Sequence, residues 1–218
     1  MSSLKTSSEP ALPTNTWIAA SWEDYLQMVA KPTLAKAKGY YHHNHMRIEM
    51  SPVGHDHAAD NALIDFAVQL FCTLRGIAFR GLVNCSYRQA GERECQPDSS
   101  YYLQEQAQMI PWGTTIVDLN RYPAPDLVIE IAASSLLDDQ GNKRALYEVL
   151  GVKEYWVVDV QAMTVLAYAL TPQGSQRLDV SQVLGGLPMA LLATALERSR
   201  HQDQGQVGAW LLQEFSGA

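Results

Sequence analysis

Apolar residues recur along this chain with two different periods, and each period predicts a different element. Between positions 55 and 74 they recur at helical spacing, on a stripe that consists of Leu63, Phe66, Ala67, Leu70, Phe71 and Leu74. Such a stripe predicts an amphipathic helix with one face in the core. Positions 127–133, in contrast, are almost continuously aliphatic, shortly after a proline and just before two serines. This run predicts a strand that is buried on both faces.

Shorter patterns supply the remaining elements. Ser21, with Asp24 three residues later, predicts the capped start of a short helix. A hairpin is predicted for positions 39–50 around a polar His-Asn turn, and Gly151 predicts the end of a helix over positions 138–150. Further strands are predicted at 81–87, 94–103, 154–160, 164–170 and 175–180, and further helices at 189–200 and 207–215.

The order of these elements indicates the fold class. A helix, several strands, a second helix and more strands predict an α/β or α+β domain, built on a central mixed β-sheet that helices flank. We expect a flexible tail over residues 1–16, because this segment is rich in Ser, Pro and Thr. The α/β domain is expected over residues 17–185, followed by a helical extension over 186–218.

Composition narrows the classes of function. The net charge is −7, which argues against tight, non-specific binding of nucleic acid, since counterion release favours basic proteins. The cysteines are too few and too scattered for a zinc cluster or a disulfide framework, and reduced thiols are typical of the cytoplasm. No apolar run reaches the roughly 18 residues of a membrane helix. We therefore expect a cytoplasmic protein with no membrane association.

Glu130 stands in the middle of the predicted buried strand, where an unpaired carboxylate is costly. A metal ion or a lysine would compensate it. Asp126 points to the same face but lies about 13 Å away at ~3.3 Å per residue, whereas Asp98 on the preceding strand can lie opposite Glu130 across ~4.8 Å. We therefore expect Asp98 and Glu130 as metal ligands. Asp126 is the second choice, as an outer ligand or as a structural residue at a strand start.

Lys143 lies in the next predicted helix, which can pack over the face that carries Glu130. Its long side chain could then reach the carboxylate. The alternative is a solvated helix lysine that pairs with Asp139 four residues earlier. Sequence spacing leaves both interpretations open.

Carboxylates on adjacent strands with a nearby lysine are typical of phosphodiester hydrolysis. That reaction needs a water nucleophile, neutralisation of the phosphate charge and stabilisation of the leaving oxygen. Mg²⁺ or Mn²⁺ held by carboxylates supplies these functions, and Mg²⁺ often uses only one or two protein carboxylates. The pattern therefore favours a hydrolytic metal site.

At these residues the chain resembles the Uma2 family, also called DUF820, whose members have the restriction-endonuclease-like PD-(D/E)XK fold. The resemblance covers roughly residues 40–170. The matching segments are Glu49-Met50-Ser51-Pro52 with His57, Pro97-Asp98, Pro125 to Ile131, Asp139 to Tyr147, and Gly151 to Asp159. After Glu130 the sequence departs from the family pattern, because Ala132-Ala133-Ser134-Ser135 replaces Leu-Ser-Pro-Ser.

The resemblance implies a core with the order αβββαβ, a Mg²⁺-dependent nuclease site and a homodimer. It further implies that Asp98 and Glu130 are metal ligands, that Lys143 is the catalytic lysine and that Glu49 is an accessory acid. The resulting prediction is an endonuclease that hydrolyses phosphodiester bonds in DNA, which it binds weakly or transiently. The alternative is a non-catalytic protein of the same fold that acts as a dimeric binding or regulatory module, which the negative charge favours.

Overall fold

The computed structural model describes residues 13–50 and 54–217, so positions 1–12 of the expected tail lie outside the described residues. The strands are β1 Ile18–Ala19, β2 Lys38–His42, β3 His45–Glu49, β4 Phe79–Val83, β5 Tyr87–Gln89, β6 Arg93–Cys95, β7 Ser99–Leu103, β8 Val117–Asp118, β9 Leu127–Ala132, β10 Glu154–Asp159, β11 Thr164–Thr171 and β12 Gly174–Leu178. The α-helices are α1 Trp22–Val29, α2 His55–Leu74, α3 Leu136–Asp138, α4 Arg144–Leu150, α5 Met189–Ser199 and α6 Gln204–Gly217. A π-helical turn, Asp139–Lys143, joins α3 to α4, and 3-10 turns cover Pro32–Leu34 and Gln104–Gln108.

The strands form two six-stranded sheets. The main sheet has the order β12-β11-β10-β9-β7-β4, in which β9 and β10 are parallel and the other pairs are antiparallel. The second sheet has the order β1-β3-β2-β6-β5-β8 and contains the predicted hairpin of β2 and β3. The architecture is the mixed α+β type that the sequence predicted.

All six residues of β9 are buried, as predicted for this strand. Successive side chains of a strand point to opposite faces of the sheet. Leu127, Ile129 and Ile131 pack into the core that contains α2, α5 and α6. Val128 and Ala132 pack on the other face, beneath α4 and beside tyrosines of the second sheet. Glu130 shares this second face, so the strand directs its carboxylate towards α4 and the second sheet.

Several local predictions are confirmed. Ser21 and Asp24 form the predicted capping box at the start of α1. The long helix spans His55–Leu74 as predicted. Gly151 ends α4 with a positive φ of 82°, a backbone conformation that glycine adopts without steric cost.

Other local predictions are wrong. The predicted stripe of α2 included Phe66 and Leu74, but these side chains are 46% and 41% exposed. The buried residues of α2 instead form a stripe that is shifted by about one residue from the predicted one. This stripe faces α5, α6 and the main sheet. The core-facing residues are Leu63, Ile64, Ala67, Val68, Phe71 and Cys72. The strand predicted at 94–103 is interrupted between β6 and β7 around Pro97, which has no N–H to donate to a ladder.

Gly39 on β2 allows the close approach of α1. A Cβ atom at this position would overlap the hydroxyl of the fully buried Tyr25 and would lie 3.0 Å from Cγ1 of Val29. We expect Gly39→Ala to lower the free energy of unfolding by about 1–3 kcal/mol, measured by urea titration. Gly141→Ala is the control, because its Cβ meets no atom within 4 Å and alanine favours a helix. Equal stability of Gly39→Ala and wild type would contradict this prediction.

Candidate active site

The structure brings Asp98 and Glu130 together. Ser99 pairs with Ile129 across β7 and β9, so Asp98, one residue before β7, lies beside Glu130. The backbone N–H of Ile131 donates a hydrogen bond of 2.8 Å to Oδ2 of Asp98 and fixes its position. The two side chains, 5% and 2% exposed, are nearly buried. Two adjacent strands therefore hold two carboxylates side by side, as the strand spacing predicted.

Lys143 lies over this pair and is buried. Its Nζ is 2.9 Å from Oε1 of Glu49, 2.9 Å from Oδ1 of Asp139 and 3.6 Å from Oε2 of Glu130. The ammonium also lies 4.4 Å from the centre of the Tyr40 ring, at cation–π distance. Lys143 is therefore not a solvated helix lysine, although it does make the expected pair with Asp139.

Asp98 has basic side chains as neighbours of its own. Lys38 on β2 forms an ion pair with Oδ1, and Nε2 of His57 in the first turn of α2 is 3.3 Å from Oδ2. These groups line a cavity of about 330 Å³, together with Glu49, Arg47, Glu130 and Lys143. The cavity therefore places acidic and basic side chains within reach of one ligand.

Two tyrosines orient Glu130. The hydroxyl of Tyr147 on α4 donates to Oε1 at 2.6 Å, and that of Tyr40 on β2 donates to the same oxygen at 3.1 Å. The other oxygen, Oε2, faces Lys143 at 3.6 Å, beyond normal hydrogen-bonding distance. The tyrosines thus hold one oxygen and leave the second directed towards the ammonium and the cavity.

Three carboxyl groups surround the Lys143 ammonium. Burial raises the pKa of Glu130 to about 8 even though Lys143 opposes the shift. Burial likewise raises the pKa of Asp139, whereas Lys143 and Arg47 outweigh burial at Glu49 and lower its pKa. Burial disfavours the charge on Lys143, but the three carboxylates outweigh it and raise the pKa of the amine. The Lys143 ammonium therefore contacts three carboxyl groups, of which only Glu49 has a lowered pKa.

The donor atoms at this position fit a magnesium ion. Asp98 and Glu130 provide two adjacent carboxylates at a cavity wall, and Mg²⁺ often takes only one or two carboxylates while it keeps several waters. Within residues 13–50 and 54–217, no group of three or more His, Cys, Asp or Glu side chains is placed to hold a metal. Asp98 and Glu130 are thus the side chains that would hold a metal ion at this wall, with waters as its remaining ligands.

The structure does not bring Asp126 to this cavity. Asp126 precedes β9, at the opposite end from Ala132, where its Oδ2 accepts a hydrogen bond of 2.7 Å from the N–H of Leu103. Its Oδ1 lies 2.7 Å from Nζ of Lys153. These contacts tie the side chain to the β7 end and to the surface, so Asp126 lies outside the cavity that contains Glu130, in agreement with the alternative of a structural residue at a strand start. Glu49, in contrast, lies in the cavity through its contact with Lys143.

Sequence reasoning missed three residues that contact Asp98, Glu130 or the Lys143 ammonium, and a fourth that contacts Glu49. Lys38 and Tyr40 come from the hairpin of β2, and the alternation of that strand was a signal that they share a face. Tyr147 follows Lys143 by four residues, which is the spacing of one helical face. Arg47 is 6% exposed and lies 2.8 Å from Oε1 of Glu49 through its Nε, a contact for which the sequence carried no clear signal.

In the part of the chain that the structure describes, no helix combines the length and the apolar character needed to cross a bilayer.

Comparison with known proteins assigns the chain to a family. The Uma2 family model, described as "Putative restriction endonuclease", matches residues 22–199. The chain is also similar to a crystal structure of "a putative nuclease belonging to DUF820" from Anabaena variabilis, with 17% identity and a TM-score of 0.52 over 88% of this chain and 99% of that chain. At this identity the likeness shows the fold, and it confirms the predicted fold class. No curated protein matches. Because the family model spans most of the sequence, the chain belongs to the Uma2 family.

Proposed function

We propose that this protein is a metal-dependent endonuclease that hydrolyses phosphodiester bonds in DNA. The observation that carries the proposal is the placement of Asp98 and Glu130 side by side at a cavity wall, with the buried ammonium of Lys143 3.6 Å from Glu130. A lysine in a buried position is costly unless it has carboxylate partners, which this site provides. Membership of a family described as nucleases supports the same chemistry.

Each side chain has a distinct role in this proposal. Asp98 and Glu130 would hold Mg²⁺ or Mn²⁺, an ion that would neutralise phosphate charge and acidify a water. Lys143 donates to the phosphate or to the attacking water and stabilises the charge that develops there. Glu49 and Asp139 hold the Lys143 ammonium in position at 2.9 Å each.

Nicking of supercoiled plasmid DNA tests the proposal. We expect nicking with Mg²⁺ or Mn²⁺ and none with EDTA, and we expect Glu130→Gln to reduce the rate by about a hundredfold or more, because it removes a charged ligand. Glu154→Gln is the matched control. Glu154 is a buried carboxylate on the neighbouring strand β10 that accepts from Trp156 Nε1 and from the N–H groups of Gln182 and Val183, away from the cavity.

Two outcomes would contradict the enzyme proposal. One is the absence of metal-dependent nicking by the wild type, and the other is equal nicking by wild type and Glu130→Gln. Either result would favour the alternative of a non-catalytic dimeric module. The homodimer and the cytoplasmic location stay predictions from the resemblance and the composition.

A further inference from the structure

A second cavity adjoins the candidate active site. It has a volume of about 530 Å³ and shares three wall residues, Lys38, His57 and Asp98, with the cavity that contains Glu130. A polymer whose phosphate lies at Asp98 and Glu130 must continue to either side of that phosphate. The adjoining cavity is therefore in a position to receive the neighbouring nucleotide.

Side-chain amides line this second cavity. They are Asn61 from α2, Asn84 from the segment after β4, and Gln96 from the segment after β6. Oδ1 of Asn61 lies 3.1 Å from the Ser99 hydroxyl, which is also 2.9 Å from Oδ2 of Asp65, and the NH₂ group of Asn61 lies outside this contact. Nε2 of Gln96 donates to the backbone carbonyl of Asn84 at 3.0 Å, which leaves its Oε1 available as an acceptor. The cavity thus offers donors and acceptors, the two kinds of group that the edge of a nucleobase presents.

The amides are fixed relative to the carboxylates. Asn84 has a left-handed φ of 52°, and its N–H donates to the backbone carbonyl of Asp98 at 3.0 Å. The hydroxyl of Tyr40 lies 2.8 Å from the carbonyl of Gln96 and 3.1 Å from Oε1 of Glu130, so it connects the two residues. A nucleobase held by these amides would therefore have a defined position relative to the reacting phosphate.

His57 supplies a separate observation at the shared wall. Its Nε2 faces Asp98 at 3.3 Å, but its Nδ1 is buried and has no hydrogen-bond partner among residues 13–50 and 54–217. Buried polar atoms without partners are uncommon in folded proteins, and they often mark the position of a ligand or a water. His57 lines both cavities, so a ligand that spans them would lie against this side chain.

We propose that this second cavity is a subsite for an unpaired nucleobase, and that the preferred substrate is single-stranded or locally unpaired DNA. The inference rests on the proposed nuclease function. Unpaired bases expose their hydrogen-bonding edges to amide side chains, whereas paired bases have those edges occupied. The reacting carboxylates are recessed, and the net charge of −7 disfavours extensive contacts with the phosphates of a duplex.

Binding of a fluorescein-labelled 12-nucleotide single strand, followed by anisotropy, tests the subsite. Ca²⁺ replaces Mg²⁺ as a hard, oxygen-binding cation. We expect Asn61→Leu and Gln96→Leu each to raise the Kd by about tenfold, because each loses hydrogen bonds to a base. Gln176→Leu is the matched control, since Gln176 is an exposed amide on β12 at the opposite edge of the main sheet. Its Kd should stay within about twofold of wild type, as an amide outside the subsite makes no base contact.

A duplex of the same sequence provides the second arm, and we expect it to compete at least about tenfold less well than the single strand. Unchanged affinity in both amide variants, or preference for the duplex, would overturn the subsite. If Asn61→Leu fails to fold, Gln96→Leu decides alone. The nicking assay separates the two proposals. Plasmid nicking that depends on Glu130, without any effect of the amide variants, defeats only the subsite, whereas amide-dependent binding without nicking defeats only the catalytic proposal.

Discussion

Replacement of Lys143 by methionine should destabilise the fold more than any other single change at the cavity. We expect Lys143→Met to lower the free energy of unfolding by about 3–5 kcal/mol, because removal of one partner leaves buried carboxylates without compensation. Glu49 and Asp139 would each lose a contact of 2.9 Å, and Glu130 would lose its nearest ammonium. Urea titration in EDTA at pH 7 measures the change without a contribution from metal binding.

Lys153→Met is the matched control. Lys153 also pairs with a buried carboxylate, that of Asp126, at 2.7 Å, but its side chain is 60% exposed. Water can replace such an ammonium, so we expect a loss of about 1 kcal/mol or less. At pH 9, above the pKa of about 8 of Glu130, combining Lys143→Met with Glu130→Gln should cost less than the sum of the single changes, because the neutral amide no longer needs the ammonium. Equal loss in the two lysine variants would show that Lys143 is not the centre of the cluster.

The pairing of the two carboxylates was predictable because strand geometry is regular. A side-chain period of two and a fixed spacing between strands allowed Asp98 to be placed opposite Glu130 before the structure was known. The same geometry separated Asp126 from Glu130 by about 13 Å. In the structure, Asp126 does lie at the far end of β9, bound to Lys153 and to the N–H of Leu103.

The burial of Lys143 could not be predicted, because it depends on the packing of elements that are distant in sequence. The sequence showed only that Lys143 follows Asp139 at helical spacing. Its burial comes from Tyr40 and Glu49 on the second sheet, about a hundred positions earlier in the chain. The π-helical turn also changes the direction of the side chains at 139–143, and no simple period of apolar residues reports such a turn.

The buried core contains further charges that the sequence did not distinguish from surface ones. The sequence positions of Asp60, Asp65 and Glu154 are typical of surface charges. Their side chains are nevertheless only 1%, 8% and 1% exposed. Asp60 pairs with both terminal nitrogens of Arg200, 140 positions away. Such long-range partners decide burial, and helical or strand periodicity within one element contains no information about them.

Glu130→Gln should remove nicking and at the same time stabilise the metal-free fold above neutral pH. The folded-state pKa of Glu130 is about 8, above its ordinary value of 4.5, because burial disfavours the charge. A carboxyl group with a raised pKa contributes stability below its ordinary pKa, and this contribution is lost as the pH rises through the folded-state value. In EDTA, the stability of the wild type relative to Glu130→Gln should therefore fall by a few kcal/mol between about pH 4.5 and pH 8, since one pKa unit corresponds to about 1.4 kcal/mol.

Mg²⁺ should reverse the difference in stability between the wild type and Glu130→Gln, because an ion that binds only the folded state stabilises the folded state. At pH 8 we expect millimolar Mg²⁺ to raise the Tm of the wild type, whose ionised Glu130 gains a cation, and to leave the Tm of Glu130→Gln nearly unchanged. Glu154→Gln, with its neutral amide at a buried site outside the cavity, should respond to Mg²⁺ as the wild type does. An equal Mg²⁺ response in all three proteins would mean that Glu130 does not bind the ion. The loss of stability on ionisation of Glu130 would then be a consequence of its burial in the fold, unrelated to metal binding.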